Sequence, residues 1–343
     1  MKILLTCTLA ITLITLITSP ILGDTDQMPE KVKAFVSILP QAYFVERVGG
    51  RHVDVSVLVG PGQDAHTYEL SPKMVAELAK AKVFFGIGLP FEVALVKKIS
   101  STFNNLQVVD TAKGITFRVM QEGEEHDHGE RSHHDQAKSP GNGNKKHPLD
   151  DGERDDKHAH TQGGQGHERA ETDPHIWMDP KMVKVQIANI ANALSSLDPS
   201  HSSEYRNNSL EFQAELDELD SQLARVLGPV IGKKFYVYHP AYGYFGDSYG
   251  LKQVSVETGG KEPSARHLAA LIREAKKDEV RVIFVQPQFS KKSAESLAKA
   301  IGGAVVALDP LARDYLKNMR EVAGKVESAL AGQKNPINER NSP

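Results

Sequence analysis

Residues 121–171 contain no Val, Ile, Met or aromatic side chain. They hold eight glycines, and with Asp173 counted they carry fourteen acidic residues. Such a segment cannot bury enough apolar surface to offset its ordering entropy, so it is expected to be disordered without a ligand. A core must come from the flanking sequence.

Both flanks show the same rhythm. On the amino-terminal side, Val32–Leu39, Val53–Val59, Val83–Ile87 and Leu106–Val109 read as strands, with helices at Tyr43–Val48, from Ser71-Pro72 to Lys80, and at Phe91–Ser100. On the carboxyl-terminal side, Phe235–Tyr238, Gln253–Val256, Val280–Val285 and Ala304–Leu308 read as strands, with helices at Ser264–Lys276 and Lys291–Ala300. Strands alternating with helices imply βαβ units and parallel sheets, so an α/β fold with two four-stranded halves is expected. Ser202–Leu227 lies between them, with an i, i+3/i+4 stripe of Phe212, Leu216, Leu219, Leu223 and Val226. As a helix it spans about 40 Å, and it reads either as a surface helix of the second half or as a connection between the halves.

A chain of 343 residues suggests two domains. Its net charge of −3 lacks the basic face that a nucleic-acid partner requires. The lone Cys7 excludes a disulfide framework or a Cys-rich zinc module. Met1-Lys2, an uncharged run Ile3–Leu22 and the small Gly23 read as a cleaved signal peptide over residues 1–23, against an uncleaved anchor. Cys7 sits too early in that run to be a lipid-anchoring cysteine.

Histidine is the anomaly. Eight of fourteen histidines lie in residues 121–171: His126, His128, His133, His134, His147, His158, His160 and His167. Imidazole mixed with carboxylate suits a divalent transition metal, so the segment is expected to bind metal as an auxiliary site. Three others stand in loops beside proline or glycine: His66 after the second strand, His175 in Asp173-Pro174-His175-Ile176-Trp177-Met178-Asp179-Pro180, and His239 at the end of Phe235–Tyr238. Asp309 ends Ala304–Leu308 in the same way. Open α/β sheets bind ligands outside the carboxyl ends of their strands, where all four can be placed. Each alone is equally compatible with an ordinary loop residue, and Asp309 with a turn or cap. His52, His201 and His267 read as surface residues.

The motifs through His66-Thr67-Tyr68-Glu69, Asp173–Pro180, Tyr238-His239-Pro240-Ala241-Tyr242-Gly243-Tyr244-Phe245, Gly260-Lys261-Glu262-Pro263-Ser264 and Leu308-Asp309-Pro310-Leu311 together resemble the metal-specific solute-binding proteins of bacterial ABC importers, the zinc/manganese cluster. The resemblance covers nearly all of residues 31–330. It implies two (β/α) lobes, 31–200 and 229–332, joined by a connecting helix at 201–228, with a metal held in the interlobe cleft. It further implies that His66 and His175 come from the first lobe and His239 and Asp309 from the second, with the Asp309 position either ligating or yielding to water. Expected partners are an ABC permease of the inner membrane and no nucleic acid. A monomer and, without a lipobox, a periplasmic location are also expected.

Manganese-type members resemble one another in placing a carboxylate where this chain has His239. Three imidazoles suit zinc, whereas manganese prefers more oxygen ligands. Zn2+ is the expected cargo, bound without any reaction, with Asp64 or Glu69 expected to accept the second N–H of a ligand imidazole. Manganese or another divalent metal, a His-rich zinc buffer and an adhesin are the alternatives. A catalytic zinc site, with Glu262 as its base, is disfavoured because no His-Glu-x-x-His occurs.

Overall fold

The computed structural model describes residues 30–120, 172–257 and 259–332. The expected signal peptide, the His-rich segment and the polar tail from Gln333 lie outside them. The amino-terminal half alternates β1 (Val32–Val36), α1 (Leu39–Gly49), β2 (Val53–Val57), α2 (Pro72–Leu78), β3 (Val83–Gly86), α3 (Pro90–Thr102) and β4 (Gln107–Asp110). Two helices follow, α4 (Pro180–Leu197) and α5 (Ser202–Leu227). The second half contains β5 (Lys234–Val237), α6 (Gly243–Tyr249), β6 (Lys252–Ser255), α7 (Ala265–Lys277), β7 (Val282–Val285), α8 (Lys292–Ile301), β8 (Ala304–Ala307) and α9 (Tyr315–Leu330).

Both sheets are parallel and share one topology. The strand orders are β2-β1-β3-β4 and β6-β5-β7-β8. In the first sheet Val32 pairs with Val53 and Ala34 with Val83. The inner strands β1 and β3 are buried along almost their whole length, as helices on both faces require. In each half the chain reverses direction across the sheet beside the central strand, which leaves a crevice at the strands' carboxyl ends.

Helix boundaries follow local chemistry. Ser71 Oγ accepts from Met74 N at the start of α2, with Pro72 in the first turn. Asp179 accepts from Lys181 N before Pro180 of α4, Ser264 from His267 N before α7, and Asp314 from Lys317 N before α9. The sequence reading assigns no element to α4, α6 or α9. The stripe was present in α9, where Tyr315, Leu316, Met319, Val322, Ala323, Val326 and Leu330 are all buried.

The long helix has the limits read from sequence, and its seam differs at one position. Phe212, Leu216, Leu219 and Leu223 are buried, but Val226 is 40% exposed and Leu227 takes the seam. Four residues beyond Leu223 returns the helix to its buried face, while three turns Val226 toward water. This seam packs on α1, α4 and α9. The largest apolar cluster therefore runs through both halves, joining α1, α4, α5, α6 and α9 to one face of each sheet. Smaller clusters cover the outer faces of the sheets. The described residues from Lys31 on form one compact unit.

His52 corrects the reading of the remaining histidines. It is buried, stacks on the His201 ring at 3.7 Å, and meets Glu204 Oε2 at 2.9 Å. His201 is half-buried against Asp198, and His267 is half-buried too. Mutual stacking at the start of α5 buries His52 and leaves His201 partly covered. No described helix is long and apolar enough to cross a membrane.

Candidate metal centre

Three loops bring His66, His175 and His239 together. His66 follows β2 on a loop that turns at Gly62, whose φ of 73° favours glycine. Asp64 then accepts from His66 N at 2.9 Å and from Thr67 Oγ1 at 3.0 Å, closing a local turn that aims the imidazole inward. His175 precedes a 3-10 turn, Ile176–Met178, and leads into α4. His239 follows β5, where Gln286 clamps its backbone through both an N–H and a carbonyl contact, at 3.1 and 2.6 Å.

The three Nε2 atoms form a nearly equilateral triangle. The separations are 3.2 Å for His66–His175, 3.1 Å for His66–His239 and 3.2 Å for His175–His239. His175 Nδ1 lies 2.7 Å from Asp173 Oδ1, and His239 Nδ1 lies 2.6 Å from Glu257 Oε1. Each carboxylate accepts, which places the proton on Nδ1 and leaves an Nε2 lone pair facing the centre. Lone pairs this close repel one another unless a cation lies between them.

Burial enforces the neutral state. It pushes the His66 imidazole down to about 2, with His175 and His239 acting in the same direction. Burial also holds His239 below its ordinary value, against the Glu257 hydrogen bond. Asp173 stays below the usual carboxylate range: burial raises it, but the His175 hydrogen bond and the Arg118 charge outweigh that. Trp177 and Phe289 wall the site, the latter stacked on His239 at 4.8 Å. A cleft opens outward past Asp64, Thr67, Pro90, Met120, Glu257 and Gly260.

Two readings from sequence change. The carboxylates that orient the ligands are Asp173 and Glu257. Asp64 is spent on its own loop, and Glu69 is exposed at the surface. Asp309 is not brought into the group: its Oδ1 accepts from Gln288 Nε2 and from Leu311 N, both at 2.9 Å. Glu262 is exposed and accepts from Ser293. The auxiliary histidines lie outside the described residues.

Sequence reasoning missed Glu257, Gln286, Gln288 and Phe289. Glu257 had no motif of its own, and the other three follow β7, where a Pro-flanked pair of glutamines was the one available sign. The Tyr242–Phe245 motif is explained by what it supports. Tyr244 Oη donates to the Asp173 carbonyl at 2.8 Å, Arg118 N donates to Tyr244 Oη at 3.0 Å, and Tyr242 Oη donates to the Leu308 carbonyl at 2.9 Å. At Gly243 an added Cβ would fall 1.7 Å from Arg118 Nη1 and 2.8 Å from Asp173 Oδ2, so a side chain there would have to displace the guanidinium from its place beside that carboxylate.

Residues 35–329 match the family model described as "ZnuA: Zinc-uptake complex component A periplasmic". Among similar proteins, "Zinc-binding protein AdcA" of Streptococcus pyogenes serotype M3 is 30% identical over 82% of this chain and 50% of its own length. "High-affinity zinc uptake system protein ZnuA" of Yersinia pestis is 26% identical over 80% of this chain and 81% of its own. The chain thus spans about half the length of the AdcA relatives it matches. Among solved structures, one described as "Crystal structure of ZnuA" superposes with a TM-score of 0.72 at 36% identity, covering 88% of this chain and 99% of that one. A ZnuA deletion mutant lacking its residues 138–173, described as having zinc bound, matches at 0.72 and 35%, over 89% and 100%.

Proposed function

This chain belongs to the ZnuA family of zinc-uptake components, and on that premise we propose that it captures Zn2+ with His66, His175 and His239. The observation that carries this reading is the triangle of Nε2 atoms at 3.1–3.2 Å, two of them with their Nδ1 protons committed to carboxylates. With Zn–N bonds of about 2.0–2.1 Å, a cation fits against all three. A set of three neutral nitrogens without a carboxylate favours zinc over manganese. Capture and release, with no bond broken, is the activity, and an extracytoplasmic solute-binding role with an ABC permease as recipient follows from the family. A monomer acting in the periplasm and docking at the inner membrane is the form this takes.

The histidines of residues 121–171 are assigned an auxiliary, separate metal-binding role. The segment joins the described fold at Met120, which lines the cleft, and at Thr172, three residues before His175. Val119 and Thr172 pair there as an isolated antiparallel bridge.

Competitive zinc titration by calorimetry separates these roles. The full chain, a chain lacking residues 121–171 and its His239→Ala derivative are compared. One tight ion that survives the deletion and is lost with His239 supports interlobe capture. Loss of all tight binding with the deletion would leave a His-rich zinc buffer as the function.

A further inference from the structure

Tyr244 is buried in the first turn of α6, on the same loop-and-helix segment as His239, yet its hydroxyl serves the other half of the molecule. Arg118 N donates to Tyr244 Oη at 3.0 Å, and Tyr244 Oη donates to the Asp173 carbonyl at 2.8 Å. An amide N–H can only donate and a carbonyl can only accept, so the direction of both bonds is fixed. Asp173 N closes the ring by donating to the Arg118 carbonyl at 2.9 Å.

Asp173 is in turn what orients His175. Its Oδ1 accepts from His175 N at 3.0 Å and lies 2.7 Å from His175 Nδ1. One residue is therefore held by Tyr244 through its backbone and holds a ligand histidine through its side chain. The Arg118 guanidinium adds a second link, with Nε 3.8 Å from Asp173 Oδ2 and 3.5 Å from Asp247 Oδ2 on α6. The two buried ligands differ in this respect. His239 takes its carboxylate, Glu257, from its own half, whereas the carboxylate of His175 is fastened by a helix of the opposite half.

Resting on the reading that the three histidines hold zinc, we propose that Tyr244 is a positioning residue for His175, so that contact between the halves is coupled to zinc retention. With its hydroxyl in place, Asp173 presents Oδ1 to the Nδ1 proton and the Nε2 lone pair faces the ion. Shifting α6 withdraws the hydroxyl, loosens the Asp173 backbone and lets the imidazole turn or exchange tautomer. A partner that displaces α6 would thus weaken one ligand without touching the metal.

Tyr244→Phe keeps the ring and removes the hydroxyl. Carboxylate partners of metal-bound histidines are worth about 10- to 100-fold in affinity, and Tyr244 acts one bond further out, so Kd should weaken about tenfold, mainly through faster release to a chelator. In 15N imidazole spectra of the metal-free chain, assigned by signals lost in His175→Ala and His239→Ala, the variant should show mixed tautomers at His175 and an unchanged His239. Asp173→Ala should weaken zinc binding, and adding Tyr244→Phe to it should weaken it no further. Ser248→Ala, which removes the 2.8 Å contact of the same helix with Asp179, should change neither tautomer nor release. Parent-like tautomers and release in Tyr244→Phe would overturn the proposal. Additive losses with Asp173→Ala, or an equal effect of Ser248→Ala, would also overturn it, because the hydroxyl would then act by general loosening. Tight zinc binding that persists in His175→Ala would instead show that the triad is not the site, and the role of Tyr244 would fall with it.

Discussion

Glu257 Oε1 lies 2.6 Å from His239 Nδ1, with the Glu257 side chain almost entirely withdrawn from solvent. The carboxylate sits after β6 and the imidazole after β5, so neighbouring strands of one sheet set the ligand's tautomer. Glu257→Leu should weaken zinc binding 10- to 100-fold, and Glu257→Gln, which retains an acceptor, should weaken it less. Competition against a chelator of known affinity measures both. Equal affinity in Glu257→Leu would show that packing alone orients the ring.

Apo stability should fall on acidification below pH 6.5. His66 is held down to about 2 and His239 is also lowered, so between those values the unfolded chain binds protons that the folded one does not. Stability from such a group is present above its unfolded pKa and lost as pH falls below it. For one imidazole the slope is about 1.4 kcal/mol per pH unit, or about 2 kcal/mol between pH 6.5 and 5. Buried Glu92, raised by burial to about 6, acts oppositely between about 4.5 and 6, and one carboxyl offsets only part of two imidazoles. Denaturant titrations of the metal-free protein at pH 7 and pH 5 check the sign.

Gly243→Ala should destabilise the fold by about 1–3 kcal/mol, since the new methyl overlaps the Arg118 guanidinium. Arg118→Ala in the same chain should recover most of that loss. Paired thermal melts of the single and double variants decide it, because additive losses would place the strain elsewhere.

Leu216→Ala should cost about 2–5 kcal/mol, because Leu216 is fully buried in the cluster shared by both halves. Val226→Ala, at an exposed position, should change stability by under about 0.5 kcal/mol. Calorimetry of Leu216→Ala should show one transition at lower temperature. Two resolved transitions would mean that the halves unfold separately.

Much of this architecture was legible in one dimension. Strand and helix periodicities differ, so β1 to β8 emerged from residue order. The α5 helix emerged with its limits because its amphipathic stripe runs through 26 residues, far longer than a strand and with the wrong period for one. His66, His175 and His239 could be singled out because each stands in a distinctive loop, and the family resemblance grouped them. The Asp173 carboxylate was quoted within a motif without its role.

What residue order could not reach was pairing across distance. Glu257 is 18 residues from the imidazole it holds, Gln288 is 21 from the carboxylate it restrains, and Tyr244 is 71 from the carbonyl it supports. Periodicity reports which face of an element is apolar and leaves open which loops meet. Asp309 looked like a ligand because its type and position suited one. Only the packed fold shows that its Oδ1 accepts from Gln288 and Leu311, since a hydrogen bond is settled by distances of a few ångströms that tertiary structure alone defines.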